Sequence, residues 1–243
     1  MGGVQDWERV MQEWKIAYVN QREIPVLISD EKEALLAAKA AGRAFVGFWR
    51  PGQPMEEISA AKYVVENLED ATQEYLERVA RRHLGFPWHI CETERLVIRE
   101  MFADDFDEVW LNQIGLGFGS VEELQAYTKN QYAFYEFGFW ALVDKESREL
   151  VGIAGLKVPE ECGEAHVDVL KAGADTAENG EILELGYHIF RRFRRMGYAK
   201  EACRAILQYG ARELGAAGFI VRIDKENRIS RHLAEELGFF AGN

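Results

Sequence analysis

Apolar positions recur at helical spacing over Trp7 to Tyr18 (Trp7, Val10, Met11, Trp14 and Tyr18), which predicts an amphipathic helix there. Ile24 to Ile28 is a short apolar run and reads as a buried strand. Ser29 and Asp30 are placed to cap a helix over Glu31 to Ala41, with Glu33 set for a capping box and Gly42 as the C-cap. Ala44 to Phe48 predicts a second strand and Ala61 to Val65 a third, and Ala71 to Leu84 predicts a helix. Strand, helix and strand in this order predict a parallel βαβ unit. Gly85-Phe86-Pro87 breaks the pattern, and the domain boundary is set just after it: a small α/β domain over residues 1–90 and a second domain over 91–243.

The second domain opens with a predicted strand, Arg95 to Met101, and a helix from Asp104 to about Gln113. The glycine-rich stretch Gly115 to Gly119 and Ser120 lead into a helix over Val121 to Tyr135. Phe139 to Asp144 and Leu150 to Val158 read as a hairpin around the polar turn Lys145 to Arg148. Pro159 to Gly180, acidic and Gly-containing, reads as a loop. Next come a strand (Glu181 to Phe190), a helix (Tyr198 to Leu214), a strand (Phe219 to Ile223), a helix (Ile229 to Leu237) and a final Phe239-Phe240. The class is α/β (α+β), with a mixed central sheet flanked by helices and preceded by the small βαβ domain.

Composition narrows the function. With 48% hydrophobic residues over 243 positions the chain can bury a real core, and its net charge of -12 disfavours nucleic acid as a general partner. That charge favours solubility and the attraction of cationic molecules such as amines. Three widely spaced cysteines, Cys91, Cys162 and Cys203, fit reduced thiols in a cytoplasmic protein. The start of the chain shows no signal-peptide core, and no apolar run is long enough to span a bilayer. The five histidines show no ligand spacing with each other or with the cysteines, so no metal is expected.

The stretch that carries chemistry is Glu184 to Ala199. A strand runs into Arg191-Arg192-Phe193-Arg194-Arg195-Met196-Gly197-Tyr198-Ala199, and a helix follows. Gly197 and the small Ala199 leave backbone open at a helix start, where free N–H groups and the helix dipole favour a phosphate. The arginines add charge-assisted donors. Neither a P-loop lysine nor a G-x-G-x-x-G run is present, so the cradle is of another type. The bland alternative is a basic surface patch.

Four segments in order resemble the GNAT superfamily of N-acetyltransferases, in the branch of the ribosomal-protein N-acetyltransferases. They are Thr93-Glu94-Arg95-Leu96-Val97-Ile98-Arg99, Glu184-Leu185-Gly186-Tyr187, Arg194-Arg195-Met196-Gly197-Tyr198-Ala199, and Asn227-x-x-Ser230 ending in Leu237-Gly238-Phe239. The resemblance covers about Cys91 to Asn243. It implies acetyl-CoA as cosubstrate, with the pyrophosphate on backbone N–H groups from Arg195 to Ala199 (Met196, Gly197 and Tyr198 between them) and Arg194 close by. It implies pantetheine paired along Tyr187, His188, Ile189 and Phe190, and Asn227 and Ser230 as further contacts. The acceptor, a small-molecule or peptide amine, would attack directly, with Glu184 as general base; a salt-bridged strand carboxylate is the alternative for Glu184. Many members carry a tyrosine as general acid four residues after the Ser230 position. Ala234 stands there in this chain, which leaves Ser230, Tyr187 and water as candidates. A non-catalytic acyl-CoA sensor is the competing reading.

Two further expectations follow. The family usually has a strand after the Leu-Gly-Phe segment: here it comes from elsewhere, or the sequence is cut short, or the substrate side is open, and an unpaired edge there would favour a homodimer. In the first domain, Ile28-Ser29-Asp30 with Glu33 to Gly42 resembles the later part of a haloacid-dehalogenase-type domain. That family's nucleophile motif is missing, so the resemblance implies an inactive remnant, with Asp30 as a possible regulatory ligand site.

Overall fold

The computed structural model describes residues 10–111, 118–159, 167–173 and 180–241, the strand at 167–173 and residue 241 by backbone alone. The chain divides into two compact units, Met1–Trp88 and His89–Asn243.

In the first unit β1 (Gln12–Val19) and β2 (Arg22–Ser29) form an antiparallel hairpin. The helix expected over Trp7 to Tyr18 is therefore not formed in its described part. The apolar residues that mimic helical spacing, Trp14 and Tyr18, lie with Ile16 on the exposed face of β1, while Ala17 and Val19 turn into the core. Asn20 and Gln21 both take positive φ, 50° and 65°, as a two-residue turn of the right-handed hairpin twist requires. This turn chemistry outweighs the helical periodicity. Helix α1 (Lys32–Ala40) carries the chain over to β3 (Ala44–Phe48), parallel to β2, and β4 (Val64–Val65) adds a short parallel edge. The expected capping box is absent: Glu31 is the N-cap, Ser29 Oγ accepts from the Glu31 N–H at 3.1 Å, and no side chain caps α1. Gly42, at φ 62°, ends the helix as expected. Helix α2 (Gln73–His83), capped by Thr72, packs Leu76, Val79 and Ala80 onto Val26, Ile28 and Val46.

The second unit is built on an eight-stranded sheet in the order β12-β9-β11-β10-β8-β7-β6-β5. Its strands are β5 (His89–Glu92), β6 (Leu96–Glu100), β7 (Phe139–Asp144), β8 (Leu150–Lys157), β9 (Val167–Gly173), β10 (Ile182–Ile189), β11 (Gly218–Asp224) and β12 (Phe240–Ala241). The helices are α3 (Phe106–Leu111), α4 (Val121–Tyr135), α5 (Tyr198–Arg212) and α6 (Arg228–Glu236). All pairings are antiparallel except β10 with β11. The helix expected from Asp104 begins instead as a 3-10 turn, Ala103–Asp105, because Asp105 accepts the Phe102 N–H at 3.0 Å and pairs with Arg99 at 2.7 Å. Its expected end at Gln113, and Gly115 to Gly117 of the glycine-rich stretch, lie outside the described residues.

Two corrections bear on the sheet. β5 spans the expected domain boundary, where no strand is predicted. The Pro159 to Gly180 segment read as loop contains β9, which pairs along its whole length with β11, from Val167 opposite Asp224 to Gly173 opposite Gly218. So β11 is not an open edge: the neighbour strand comes from this internal excursion, and β12 adds two residues outside it.

Candidate active site

The sheet opens at one place. β10 and β11 pair only over Ile182 to Glu184, opposite Gly218 to Ile220. Past Glu184 they part, while β10 stays bonded to β8 as far as Ile189 opposite Gly152. Phe190 N–H donates to Val151 O on β8 at 3.0 Å. With a two-residue alternation, the Tyr187 N–H, past the last pair of β10 with β11, then points away from β8, into the opening. A cavity of about 560 Å³ fills it.

Five of the expected site residues line this cavity: Glu184, Tyr187 and His188 from β10, and Asn227 and Ser230 from the start of α6. Glu184 is 6% exposed and sits between two cations, Arg222 Nε at 3.0 Å and Lys157 Nζ at 3.6 Å. Asn227 Oδ1 accepts the Ser230 N–H at 3.1 Å and so caps α6. The Tyr187 hydroxyl oxygen is closed off from solvent and has no hydrogen bond of ordinary geometry. Burial pushes this phenol's pKa up, and the adjacent Ser230 hydroxyl lowers it by less. Burial holds the His188 pKa below its usual value, helped by the charge of Arg194, so the ring is neutral at pH 7.

The other expected residues lie elsewhere. Phe190 is fully buried in the core beside Met101, Leu124 and Ile153, and its N–H is taken by β8. Ile189 O accepts from Arg194 Nε at 3.0 Å, which ties the basic turn to the end of β10. Arg194, Arg195, Met196 and Gly197 form an exposed turn, with Arg195 and Gly197 at positive φ (66° and 85°). Gly197 is the N-cap of α5 and has no side chain to offer; its carbonyl accepts the Glu201 N–H at 3.2 Å. The N–H groups of Tyr198, Ala199 and Lys200 precede that first helical bond and are the open donors of a helix start. The turn does not line the cavity; it continues from the strand that does.

Sequence reasoning missed the clamp beneath this turn. Glu201, on the first turn of α5, accepts from the Arg95 N–H at 2.8 Å, from Arg95 Nε at 2.7 Å and from the Thr93 hydroxyl. Arg95 Nη1 donates to Met196 O at 2.9 Å, and its guanidinium lies over the Tyr198 ring at 4.5 Å. Tyr198 O–H donates to Asp144 at 2.8 Å. The Thr93 to Arg99 segment carried this signal only as a motif. Its physical role is to hold the helix start against β6 and β7. Lys157 and Arg222, the cations on Glu184, had no signal beyond their place on apolar strands. Among the aromatic residues of α4, Tyr127 and Tyr132 bond the start of β7, while Phe134 is 79% exposed.

Residues 95–240 match the acetyltransferase (GNAT) domain family, and the chain belongs to it. The uncharacterized protein YkkB of Bacillus subtilis (strain 168) is 33% identical over 104 residues, 43% of this chain, and the chain spans about half, 51%, of that relative's length. Among solved structures, a chain of Bordetella pertussis assigned to the GNAT-family acetyltransferases aligns at TM-score 0.49 and 21% identity, over 64% of this chain and 91% of its own. The ribosomal L7/L12 alpha-N-protein acetyltransferase, solved with coenzyme A, aligns at TM-score 0.46 and 13% identity, over 62% and 83%. Among the described residues no helix is long and apolar enough to cross a membrane, and no cluster of His, Cys, Asp or Glu could hold a metal ion.

Proposed function

We propose that the second unit moves an acetyl group from acetyl-CoA to a primary amine by direct attack in a ternary complex. The observation that carries this is the strand edge released beside an open helix start: β10 leaves β11 after Glu184, and α5 begins nine residues past its end. The free N–H group of Tyr187 fits an extended amide-bearing arm, and the N–H groups of Tyr198 to Lys200 with Arg194 and Arg195 fit a pyrophosphate. Acetyl-CoA would supply the activated acetyl thioester. Tyr187 N–H, aimed into the opening, would polarise its carbonyl. Asn227, its carbonyl oxygen spent on the α6 cap, keeps its amide N–H₂ for the arm.

The acceptor amine must lose its proton to attack. Glu184 takes that proton, through a water between its carboxylate and the amine. No acyl-enzyme is needed, and the described cysteines fit that: burial pushes the Cys91 thiol up to about 11 and the Cys203 thiol higher still, so neither forms a thiolate at neutral pH. The acceptor is a small-molecule or peptide amine, and the protein works in the cytoplasm. The first unit contributes no chemistry of its own in this reading. Its buried Asp30 is spent on the Met11 N–H at 2.7 Å and on Arg50 at 2.8 Å, which argues against Asp30 as a ligand site.

Thermal melts with acetyl-CoA, CoA and ATP in parallel test the proposal. Ligand at about 100 times its dissociation constant adds roughly 2.7 kcal/mol. A rise with both CoA species and not with ATP, followed by free thiol release with at least one amine, is the expected result. No shift at millimolar acetyl-CoA overturns the cosubstrate. A shift without thiol release from any amine supports the sensor reading instead.

A further inference from the structure

The transferase reading leaves the departing thiolate without an acid, because Ala234 occupies the position where family members carry a tyrosine, and Ala234 is 3% exposed. The cavity wall offers few alternatives. Lys157 and Arg222 face the Glu184 carboxylate, and their protons answer that charge. His188 is neutral at pH 7. Among the described residues that line the cavity, those with a hydroxyl are Tyr187 and Ser230.

Tyr187 stands out because its hydroxyl breaks the usual rule. Buried polar groups are nearly always hydrogen-bonded, and an unmatched one costs about 1 to 3 kcal/mol. The Tyr187 oxygen is buried and unmatched, and it lies beside Ser230 rather than being satisfied by it. Ser230 is itself fixed at its backbone by Asn227. An O–H held this way is poised for a partner that arrives with the substrates.

We propose that the Tyr187 phenol is the general acid of this enzyme, delivering its proton to the thiolate of CoA, with the Ser230 hydroxyl as the relay that restores it. This rests on the transferase reading above. In the step, the amine nitrogen bonds to the acetyl carbon and the carbon–sulfur bond breaks. The electron pair of that bond goes to sulfur, and the phenol proton follows it. The amine proton leaves through Glu184, and solvent reprotonates the tyrosinate through Ser230. The phenol stays protonated throughout the working pH range, as an acid must. Strand β10 thus supplies from one short stretch, Glu184 to Tyr187, the base, the carbonyl-polarising N–H and the acid.

The test is Tyr187→Phe, which keeps the ring and removes the O–H. Turnover falls on the order of 100-fold, the KM of the amine stays within about twofold, and the melting shift with CoA persists. A second readout does not need turnover: affinity for CoA against desulfo-CoA, which lacks the thiol. The intact protein prefers CoA by about fivefold, one hydrogen bond's worth, and Tyr187→Phe erases the preference. Turnover within twofold of the intact enzyme overturns the proposal. So does an intact protein that binds CoA and desulfo-CoA equally. Loss of CoA binding in Tyr187→Phe also overturns it, since the residue would then hold the cosubstrate rather than act on it. If the intact protein releases no thiol with any amine, it is the transferase reading that fails, and the desulfo-CoA comparison still decides whether Tyr187 meets the thiol.

Discussion

Replacing Glu201 by Gln isolates the clamp under the helix start, since it keeps the size of the side chain and removes its charge. Glu201 meets donors on both oxygens: the Arg95 N–H and Thr93 hydroxyl on one, Arg95 Nε and Nη2 (at 2.6 Å) on the other. A glutamine keeps one acceptor and turns an N–H₂ towards the guanidinium, donor against donor. The loss is two charge-assisted bonds at about 1.5 to 3 kcal/mol each. Arg95 is 40% exposed and Glu201 18%, so solvent screening takes roughly half, leaving about 2 kcal/mol. For a domain of about 150 residues that lowers Tm by roughly 4 to 8 °C. The pH dependence has a definite sign. Burial works to raise the Glu201 pKa, but the bonds from Thr93 and Arg95 together hold it below 4.5. The stabilisation is therefore complete above the unfolded-state value and lost as pH falls through the lower folded value. Paired melts of the two proteins from pH 7 to pH 3 should show the full gap at neutral pH and a closing gap below about pH 4.5. The variant's melting shift with CoA should also shrink, because Arg95 no longer holds Met196 O. A gap absent at pH 7, or one that persists unchanged at pH 3, refutes the account.

Glu184→Gln should cut turnover at least tenfold while keeping the CoA melting shift; unchanged turnover removes this residue from the mechanism and leaves it as the partner of Lys157 and Arg222. Tyr132→Phe should cost about 1 to 3 kcal/mol in urea unfolding with an unchanged m-value, because it strands the Met101 N–H, bonded to the Tyr132 oxygen at 3.1 Å in the core. A loss under about 0.5 kcal/mol would mean that the site relaxes or admits water.

Segments with strong local chemistry could be read directly from the chain. Val121–Tyr135 forms as expected because Ser120 accepts the Glu123 N–H at 3.3 Å and the chain turns left-handed at Glu136, which stops the helix. Ala44–Phe48 is a compact β-prone run between a helix-ending glycine and a proline loop. The failures have physical causes. Trp14, Ile16 and Tyr18 sit on the outer face of an edge strand, so hydrophobicity points to the wrong face and the small Ala17 carries the burial. The backbone partner of Val167–Gly173 lies some fifty residues away on β11, and no local pattern announces a pairing of that range. In the site, residues on one segment were found together, as were those linked by motif: Glu184, Tyr187, His188, Asn227 and Ser230. Phe190 was misplaced because the stretch Tyr187 to Phe190 spans both faces of a strand, and only the pleat decides which N–H faces the opening. Arg222 and Lys157 reach Glu184 from separate strands, a meeting that only the register creates.

The pairing of β9 with β11 shows that a place in this sheet is defined by direction and hydrogen bonding, not by order along the chain. A strand at a chain end can peel away freely. β9 is anchored on both sides, by β8 before it and β10 after it, so when it opens it remains a closed loop whose ends are already in place. The search for its partner is then a local one, at the high effective concentration that such tethering imposes. The wall of the opening next to β11 is thereby kept shut by geometry as well as by its seven residue pairs.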